Sequence, residues 1–312
     1  MILSQRKLAI LILVESLIYF SYEGWCMREI CIAHSPDADD LFMYYAIVFG
    51  WVDTPCPFSN LALDIQTLNA LALQKRYEVS AISFGVYPLI VQDYALLTTG
   101  LSFGDGYGPK LIKKSTTTLK KNFKVALSGE HTSNALLFRL KYPNARIVYK
   151  NFLEIEGAVL SGEVDAGVLI HESILNFDPS LVVEAFLWDI WLEMTHKELP
   201  LPLGGMAISR SIPLNQAITI QDVLTKAVTI ATKYKPLLSK MLLERNLVRV
   251  NEEDLNTYLN LYANTQSISL SPIQLEALEM LFALGYNKGF YSSKIDPKDC
   301  LIPTEYTGLR YS

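Results

Sequence analysis

The sequence predicts an α/β protein in which two lobes enclose a ligand cleft. Short β-rich runs alternate with helical stretches from residue 29 onward, which indicates a mostly parallel sheet. These runs are apolar throughout instead of alternating with polar residues, which is typical of strands covered by helices on both faces. Half of the 312 residues are apolar and 19% are charged, so the chain can bury a large core.

The first α/β unit begins at residue 29 with the run EICIAHS. Each of its strands is short and apolar, and each is followed by a stretch with helical spacing of apolar residues. Strands are predicted at residues 29–35, 61–67 and 79–84, and helices at residues 38–50, 68–77 and 86–94.

A glycine-rich segment, SFGDGYGPKLI at residues 102–112, lacks the spacing of a dinucleotide-binding or phosphate-binding loop. We interpret it as a crossing into a second α/β unit. Residues 198–211, a segment rich in Pro and Gly, return the chain to the first unit. The second unit contains a strand, turn and helix at 124–140 and a strand at 165–173, and helices follow at 220–245, 253–263 and 271–289. This pattern divides the chain into a first lobe, residues 27–112 and 206–312, and a second lobe, residues 113–205.

Residues 1–26 resemble the start of a signal peptide, because Arg6 and Lys7 precede the apolar run LAILILVESLIYF. Glu15 interrupts that run, and no small-x-small cleavage site follows. The run is also shorter than the roughly 20 residues that span a bilayer, so no stable membrane insertion is expected. We favour Met27 as the true start and an upstream extension over residues 1–26, with a signal peptide or membrane anchor as the alternative.

Charge and cysteine content narrow the class of partner. The net charge of −5 and the lack of a basic stretch with interleaved aromatics argue against nucleic acid. An anionic small molecule remains a possible ligand, because a cleft can be locally positive in an acidic protein. The four cysteines form no C-x-x-C pair and no zinc spacing, which indicates reduced thiols in a reducing compartment such as the cytoplasm.

Candidate site residues are those that directly follow strands, where open α/β sheets bind ligands. Thr132 and Ser133 begin a helix, so their hydroxyls and the helix N–H groups suit a carboxylate or phosphate, although capping of their own helix is the commoner use. Ser83 ends a strand, and its hydroxyl can bind a ligand or satisfy a backbone group. Asn69 is by itself only a polar residue near a helix start.

Asp37, Asp39 and Asp40 invite a magnesium interpretation, because carboxylates at this density can hold that ion. They also open a predicted helix, where the dipole favours acidic residues. No calcium-loop spacing or partner cluster accompanies them, so no metal site is predicted.

His171 ends the apolar run GVLI, and Glu172 follows it directly. A histidine at that position can be a core residue that donates to a backbone carbonyl, or it can transfer a proton near neutral pH. Glu172 can orient the imidazole or point to solvent. No G-x-S-x-G nucleophile elbow occurs in the sequence.

Taken together, several segments resemble the 1,4-dihydroxy-6-naphthoate synthase family of the futalosine route to menaquinone. The resemblance runs in the same order from Met27 through the helical tail, and the IHES segment is its most informative part. It is carried by SPDADDLFMYYAIVFG, LNALALQKRYEVSAISFGVYP, GDGYGP, SGEHTSNALLFRL, VDAGVLIHES and LPLPLGG.

The resemblance implies a periplasmic-binding-protein type II fold with two α/β lobes. It implies a lyase that cleaves cyclic dehypoxanthine futalosine, a nucleoside-derived carboxylate, to 1,4-dihydroxy-6-naphthoate, with no metal or organic cofactor. A homodimer stays open as the oligomeric state. His171 matches the family's proton-transfer residue. The ligand-contacting positions of the family match Asn69, Ser83, Thr132 and Ser133.

The chain departs from the family at the first strand end, where many members read S-P-C-P-N-D and this chain reads SPDADD over residues 35–40. This difference bears on substrate orientation more than on fold. The sibling chorismate dehydratases carry a Gly-Asp pair at the position of His171-Glu172, which favours the naphthoate synthase branch. A non-catalytic solute-binding protein of an ABC-type transporter is the other alternative, because fold alone does not determine function.

Overall fold

The computed structural model describes residues 29–303. The predicted extension over residues 1–26 and the predicted start at Met27 therefore lie outside the described residues. Within the described range, no helix has both the length and the apolar character needed to cross a membrane.

The described residues alternate strands and helices as the sequence predicts, with eleven strands and ten α-helices across residues 29–303. The strands are β1 (Ile30–His34), β2 (Phe58–Ala62), β3 (Val79–Ser83), β4 (Tyr94–Leu96), β5 (Ser102–Gly104), β6 (Lys110–Lys114), β7 (Lys124–Leu127), β8 (Arg146–Tyr149), β9 (Ala166–Leu169), β10 (Leu181–Phe186) and β11 (Leu201–Ser209). The helices are α1 (Ala38–Val48), α2 (Ile65–Leu73), α3 (Tyr87–Ile90), α4 (Ser133–Lys141), α5 (Phe152–Ser161), α6 (Leu187–Thr195), α7 (Leu214–Lys233), α8 (Lys235–Glu244), α9 (Glu252–Tyr262) and α10 (Pro272–Asn287).

The strands form two sheets, and both are mixed. The first has the order β2-β1-β3-β11-β4 with β5 also paired to β11, and the second has the order β10-β6-β9-β7-β8. The prediction of mostly parallel sheets is correct for β2-β1-β3 and for β9-β7-β8 only. Strand β11 runs antiparallel to β3, β4 and β5, because it returns the chain from the second sheet to the first.

Several local predictions differ from the structure. The helix predicted at residues 86–94 spans only Tyr87–Ile90, and Tyr94 begins strand β4. Residues 198–211, interpreted from their prolines and glycines as a return segment, contain the nine-residue strand β11. The strand predicted at residues 61–67 lies earlier, at Phe58–Ala62, because Asp64 caps helix α2 by accepting from the backbone N–H groups of Gln66 and Thr67.

The chain enters the second sheet between Gly104 and Lys110 and returns to the first between Phe186 and Leu201. The lobe boundaries predicted at 112/113 and 205/206 thus fall inside β6 and β11. The main apolar core extends through both lobes, and each fully buried large side chain in it contributes about 1.5–3 kcal/mol. Its largest members include Phe84, Phe138, Trp191 and Phe282.

Candidate active site

A cleft of about 710 Å³, partly open to solvent, lies where strand ends of the two sheets face each other. The first sheet contributes the turn after β1 and the ends of β3 and β11, and the second contributes the ends of β7 and β9. Helix α9 closes one side with two tyrosines. Polar residues lining the cleft are Ser35, Asp37, Asp39, Asp40, Ser83, Ser102, Ser128, Thr132, Asn134, His171, Tyr258 and Tyr262.

His171 lies where the sequence predicts it, just beyond the buried strand β9, and its imidazole lines the cleft. Its backbone is left-handed, with φ of 54°, which is uncommon for a residue other than glycine and recurs at functional sites. The ring edge rests on Phe152, with the ring centroids 5.0 Å apart. Nδ1 lies 2.9 Å from Oδ2 of Asp37, whereas buried Nε2 has no hydrogen-bond partner among residues 29–303.

Asp37 is the carboxylate that orients His171, and it comes from the opposite sheet, in the turn between β1 and α1. It is 1% exposed and also accepts hydrogen bonds from the Ser35 hydroxyl and from Nη2 of Arg249, the latter at 3.2 Å. Burial alone raises the pKa of Asp37, but the charges of His171 and Arg249 and the hydrogen bonds hold it below its usual value. Asp37 is therefore an anion beside the imidazole.

The His171–Asp37 contact defines the charge of the imidazole. Burial lowers the pKa of His171, but the negative charge of Asp37 and its hydrogen bond more than offset this and raise the pKa to about 9. In the free protein His171 thus holds a proton near neutral pH. A pH-dependent imidazole at a cleft, with one nitrogen fixed by a carboxylate and the other without a partner in the described residues, is suited to proton transfer.

Glu172 does not point to solvent. Its Oε1 accepts a 2.9 Å hydrogen bond from the backbone N–H of Ala38, which links the turn after β9 to the start of α1. Its Oε2 lies 4.0 Å from Nη2 of Arg249. Burial and the neighbouring Asp37 charge raise the pKa of Glu172. Glu172 therefore ties the two lobes together beside His171.

Asp39 and Asp40 lie in the first turn of α1, as the sequence predicts. Oδ1 of Asp39 accepts from the Tyr258 hydroxyl at 3.2 Å, and Oδ2 of Asp40 accepts from the backbone N–H of Ser35 at 2.7 Å. Burial and the Asp37 charge raise the pKa of Asp39 to about 7, and burial and the Asp39 charge raise the pKa of Asp40 well above its usual value. Within residues 29–303, no three His, Cys, Asp or Glu side chains gather as metal ligands.

Ser83, Ser133 and Asn69 form one hydrogen-bonded group across the two lobes. Oγ of Ser83 accepts from the backbone N–H of Ser133 at 2.8 Å, and Asn69 Oδ1 accepts from the backbone N–H of Ser83 at 3.0 Å. Of the three, only Ser83 lines the cleft. Asn69 Nδ2 is buried without a partner among the described residues, and such a donor costs about 1–3 kcal/mol unless a water or ligand satisfies it.

The lobes also pack closely at Gly85, where a Cβ atom would lie 2.7 Å from the backbone nitrogen of Ser133. The Ser133 hydroxyl accepts from the Gly85 N–H at 3.1 Å and donates to the Leu203 carbonyl at 3.0 Å. Thr132 lines the cleft and also caps α4, because its Oγ1 accepts from the Ala135 N–H at 3.1 Å. The capping use of Thr132 is thus present, and its contact with a ligand stays a prediction.

Sequence reasoning missed Arg249, Tyr258, Tyr262 and Asn134. Arg249 precedes α9 in a stretch without any motif, and the two tyrosines are buried residues of a helix that the sequence predicts without assigning it a role in the site. Asn134 Oδ1 is buried and has no partner in the described part of the chain. Its position beside Thr132 and Ser133 at a helix start was the available signal.

Comparison with known sequences gives a consistent result. A family model described as menaquinone biosynthesis matches residues 30–287. The chain is 26% identical to 1,4-dihydroxy-6-naphthoate synthase from Thermus thermophilus, over 84% of this chain and 96% of that protein. It is 30% identical to the enzyme of the same name from Streptomyces coelicolor, over 64% of this chain and 73% of that protein.

Solved structures support the fold. A crystal structure of a protein from Archaeoglobus fulgidus superimposes with a TM-score of 0.79 at 34% identity, covering 84% of this chain and 98% of that one. The alkanesulfonate-binding protein from Xanthomonas axonopodis pv. citri superimposes with a TM-score of 0.66 at 12% identity, covering 89% and 99%. The second likeness is one of fold alone, and it places the chain among periplasmic-binding-protein folds as the sequence predicts.

Proposed function

The chain belongs to the menaquinone biosynthesis family and is an enzyme of that pathway, and we propose that it is a carbon–carbon lyase that converts cyclic dehypoxanthine futalosine to 1,4-dihydroxy-6-naphthoate. One observation carries the proposal. His171 stands at the cleft with Nδ1 held by a buried carboxylate and with Nε2 unpartnered among the described residues. This is the arrangement of a positioned base.

In the reaction, neutral His171 removes through Nε2 a proton beside a carbonyl of the substrate. Asp37 stabilises the imidazolium that forms, because it lies 2.9 Å from Nδ1 and is ionised. The electron pair left on carbon drives breakdown of the bicyclic system, and the ribose-derived fragment departs. Formation of an aromatic product supplies much of the driving force.

The polar and apolar halves of the cleft suit such a substrate. Ser83 and Thr132 line the cleft and hold the polar groups of the substrate, including its carboxylate, while Ser133 and Asn69 support Ser83 from behind. Asn69 Nδ2 is the buried donor that still lacks a partner within residues 29–303. The ring system lies against an apolar surface that includes Ile65, Ile82 and Leu203, with Tyr258 and Tyr262 on its other side.

Further closure of the lobes around the substrate keeps water from reactive intermediates. The contacts from Glu172 to Ala38 and from Ser83 to Ser133 join the lobes on two sides of the cleft. The enzyme works in the cytoplasm, since the thiols of Cys31 and Cys300 are reduced and its pathway is biosynthetic.

The test is turnover by the full chain. Wild type incubated with cyclic dehypoxanthine futalosine is expected to release dihydroxynaphthoate, detected by mass spectrometry. His171→Asn should lose turnover by about 10²-fold or more, the range for a general base. His196→Asn is the matched control, because His196 has the same φ of 54° but is exposed at the end of α6.

Asparagine tolerates left-handed backbone, so neither substitution strains the chain further. Equal activity of wild type and His171→Asn would contradict the assigned role. Dehydration of chorismate without turnover of the futalosine derivative would move the enzyme to the sibling branch.

A further inference from the structure

Arg249 reaches His171 from a third segment, the loop between α8 and α9. Its guanidinium lies 5.1 Å over the Phe152 ring, which also packs against the imidazole. Nη2 donates to Oδ1 of Asp37 at 3.2 Å and lies 4.0 Å from Glu172. Arg249 thus contacts residues of both lobes next to His171.

The surroundings of His171 are strongly acidic. Asp37, Asp39 and Asp40 face it from the turn after β1 and from α1, and Glu172 faces it from its own turn. Tyr258 approaches from α9 as a neutral hydroxyl, because burial raises its pKa well above the usual value. Arg249 brings a cation that cannot lose its proton, and it binds the one carboxylate that holds Nδ1.

The other arginine of this segment shows what is particular to Arg249. Arg245, four residues earlier, is also exposed and also stacks on a phenylalanine, with its guanidinium 4.5 Å over Phe49. It makes no ion pair with the carboxylates of residues 29–303. Stacking is therefore common to both residues, and only Arg249 adds a charge beside the imidazole.

We propose that Arg249 is a positioning residue for the lyase reaction: by sharing Asp37 with His171, it limits how strongly that carboxylate retains the imidazole proton and keeps Nε2 available as a base. The effect of Arg249 on turnover rests on the proposed function. Its effect on how tightly His171 holds a proton does not. Without the guanidinium, the anionic cluster stabilises the imidazolium more strongly. His171 then surrenders its proton only at higher pH.

The experiment follows the ring nitrogens of ¹⁵N-histidine in the full chain by NMR, with pH profiles of kcat/KM measured in parallel. The chain has four histidines, and His171→Asn assigns the resonance of interest. Arg249→Gln should raise the titration midpoint of His171 by about 0.5 pH unit or more and lower kcat/KM at pH 7 by about threefold or more. Arg249→Lys, which keeps the cation, should restore most of the midpoint, and Arg245→Gln should match wild type.

A midpoint in Arg249→Gln that stays at the wild-type pH, or falls, would overturn the proposal, provided the variant melts cooperatively. If Arg249→Gln unfolds, Arg249→Met, which also removes the cation, takes its place: a raised midpoint supports the proposal and a wild-type midpoint contradicts it. The titration midpoint could rise in Arg249→Gln while the wild type releases no dihydroxynaphthoate. That result would support the electrostatic role of Arg249 and contradict the proposed reaction. The two failures are therefore distinguishable.

Discussion

Oδ2 of Asp37 and Nδ1 of His171 lie 2.9 Å apart although the two residues follow strands of different sheets. The pair that we propose for catalysis therefore exists only when the lobes are together. Closure of the cleft and the charge on the imidazole are coupled, because each lobe carries one member of the ion pair.

The pH profile of turnover should rise with pH. The pKa of His171 is about 9 in the free protein, so the neutral base is a minor species at pH 7 and gains about tenfold with each pH unit. We expect kcat/KM to climb through this range and to level off above about pH 9. A flat profile between pH 6 and pH 9 would mean that His171 is not the base.

Asp37→Asn should move that profile to lower pH. With the carboxylate gone, burial is the main influence left on His171, and it lowers the imidazole pKa. The rising limb should shift down by more than about one pH unit, while the plateau of kcat falls about tenfold to hundredfold because the ring orientation is less well fixed. If the rising limb of the pH profile stays in place and only the plateau falls, Asp37 acts only through packing.

Asp39→Asn should stabilise the protein, and the gain should depend on pH. The folded-state pKa of about 7 exceeds the usual 3.8, so between about pH 4 and pH 7 the folded chain binds more protons than the unfolded chain. Stability of the wild type therefore falls as pH rises through that window. The variant should match wild type near pH 4 and exceed it by on the order of 1–3 kcal/mol at pH 8 in urea unfolding.

The control is Asp222→Asn, an exposed carboxylate on α7, which should change stability little at either pH. A variant that is less stable than wild type at pH 8 would show that the Asp39 carboxylate is needed as an anion. The hydrogen bond from Tyr258 is retained in either case, because the asparagine oxygen also accepts.

Gly85→Ala should destabilise the protein by about 2 kcal/mol or more, because the added Cβ would meet the backbone of Thr132 and Ser133 at 2.7 Å. Thermal unfolding measures the effect. Gly157→Ala is the matched control, since nothing lies within 4 Å of a Cβ at that position inside α5, and alanine favours a helix interior by about 0.5–1 kcal/mol. Similar melting temperatures for the two variants would show that the lobes move apart at Gly85 enough to accommodate the added Cβ.

The sequence predicts individual site residues better than their contacts. His171 stands out because an apolar run stops at it, and that local signal survives in the structure. Its partners are not local: Arg249 lies 212 residues from Asp37, and Glu172 lies 134 residues from Ala38. These pairs depend on how the sheets pack, which periodicity does not encode.

Strand β11 was missed for a related reason. Pro202, Gly204 and Gly205 weaken the strand signal in residues 201–209, since such residues are rare within strands. The close packing of Gly204 against Ile82 and of Gly205 against Phe84 explains the two glycines, because a side chain there would meet its neighbours at 2.9 Å or less. Tertiary contact thus overrides local propensity in this strand.

The place of β11 also sets the order in which a nascent chain can become structured. It lies between β3 and β4, so the first sheet stays in two pieces until residue 209 has been synthesised. All strands of the second sheet lie within the continuous stretch 110–186, so that sheet can form before the first sheet is complete. Pairing of β11 with partners about a hundred residues earlier is a slow, non-local event. The lobe that begins the chain is therefore the one that is completed last.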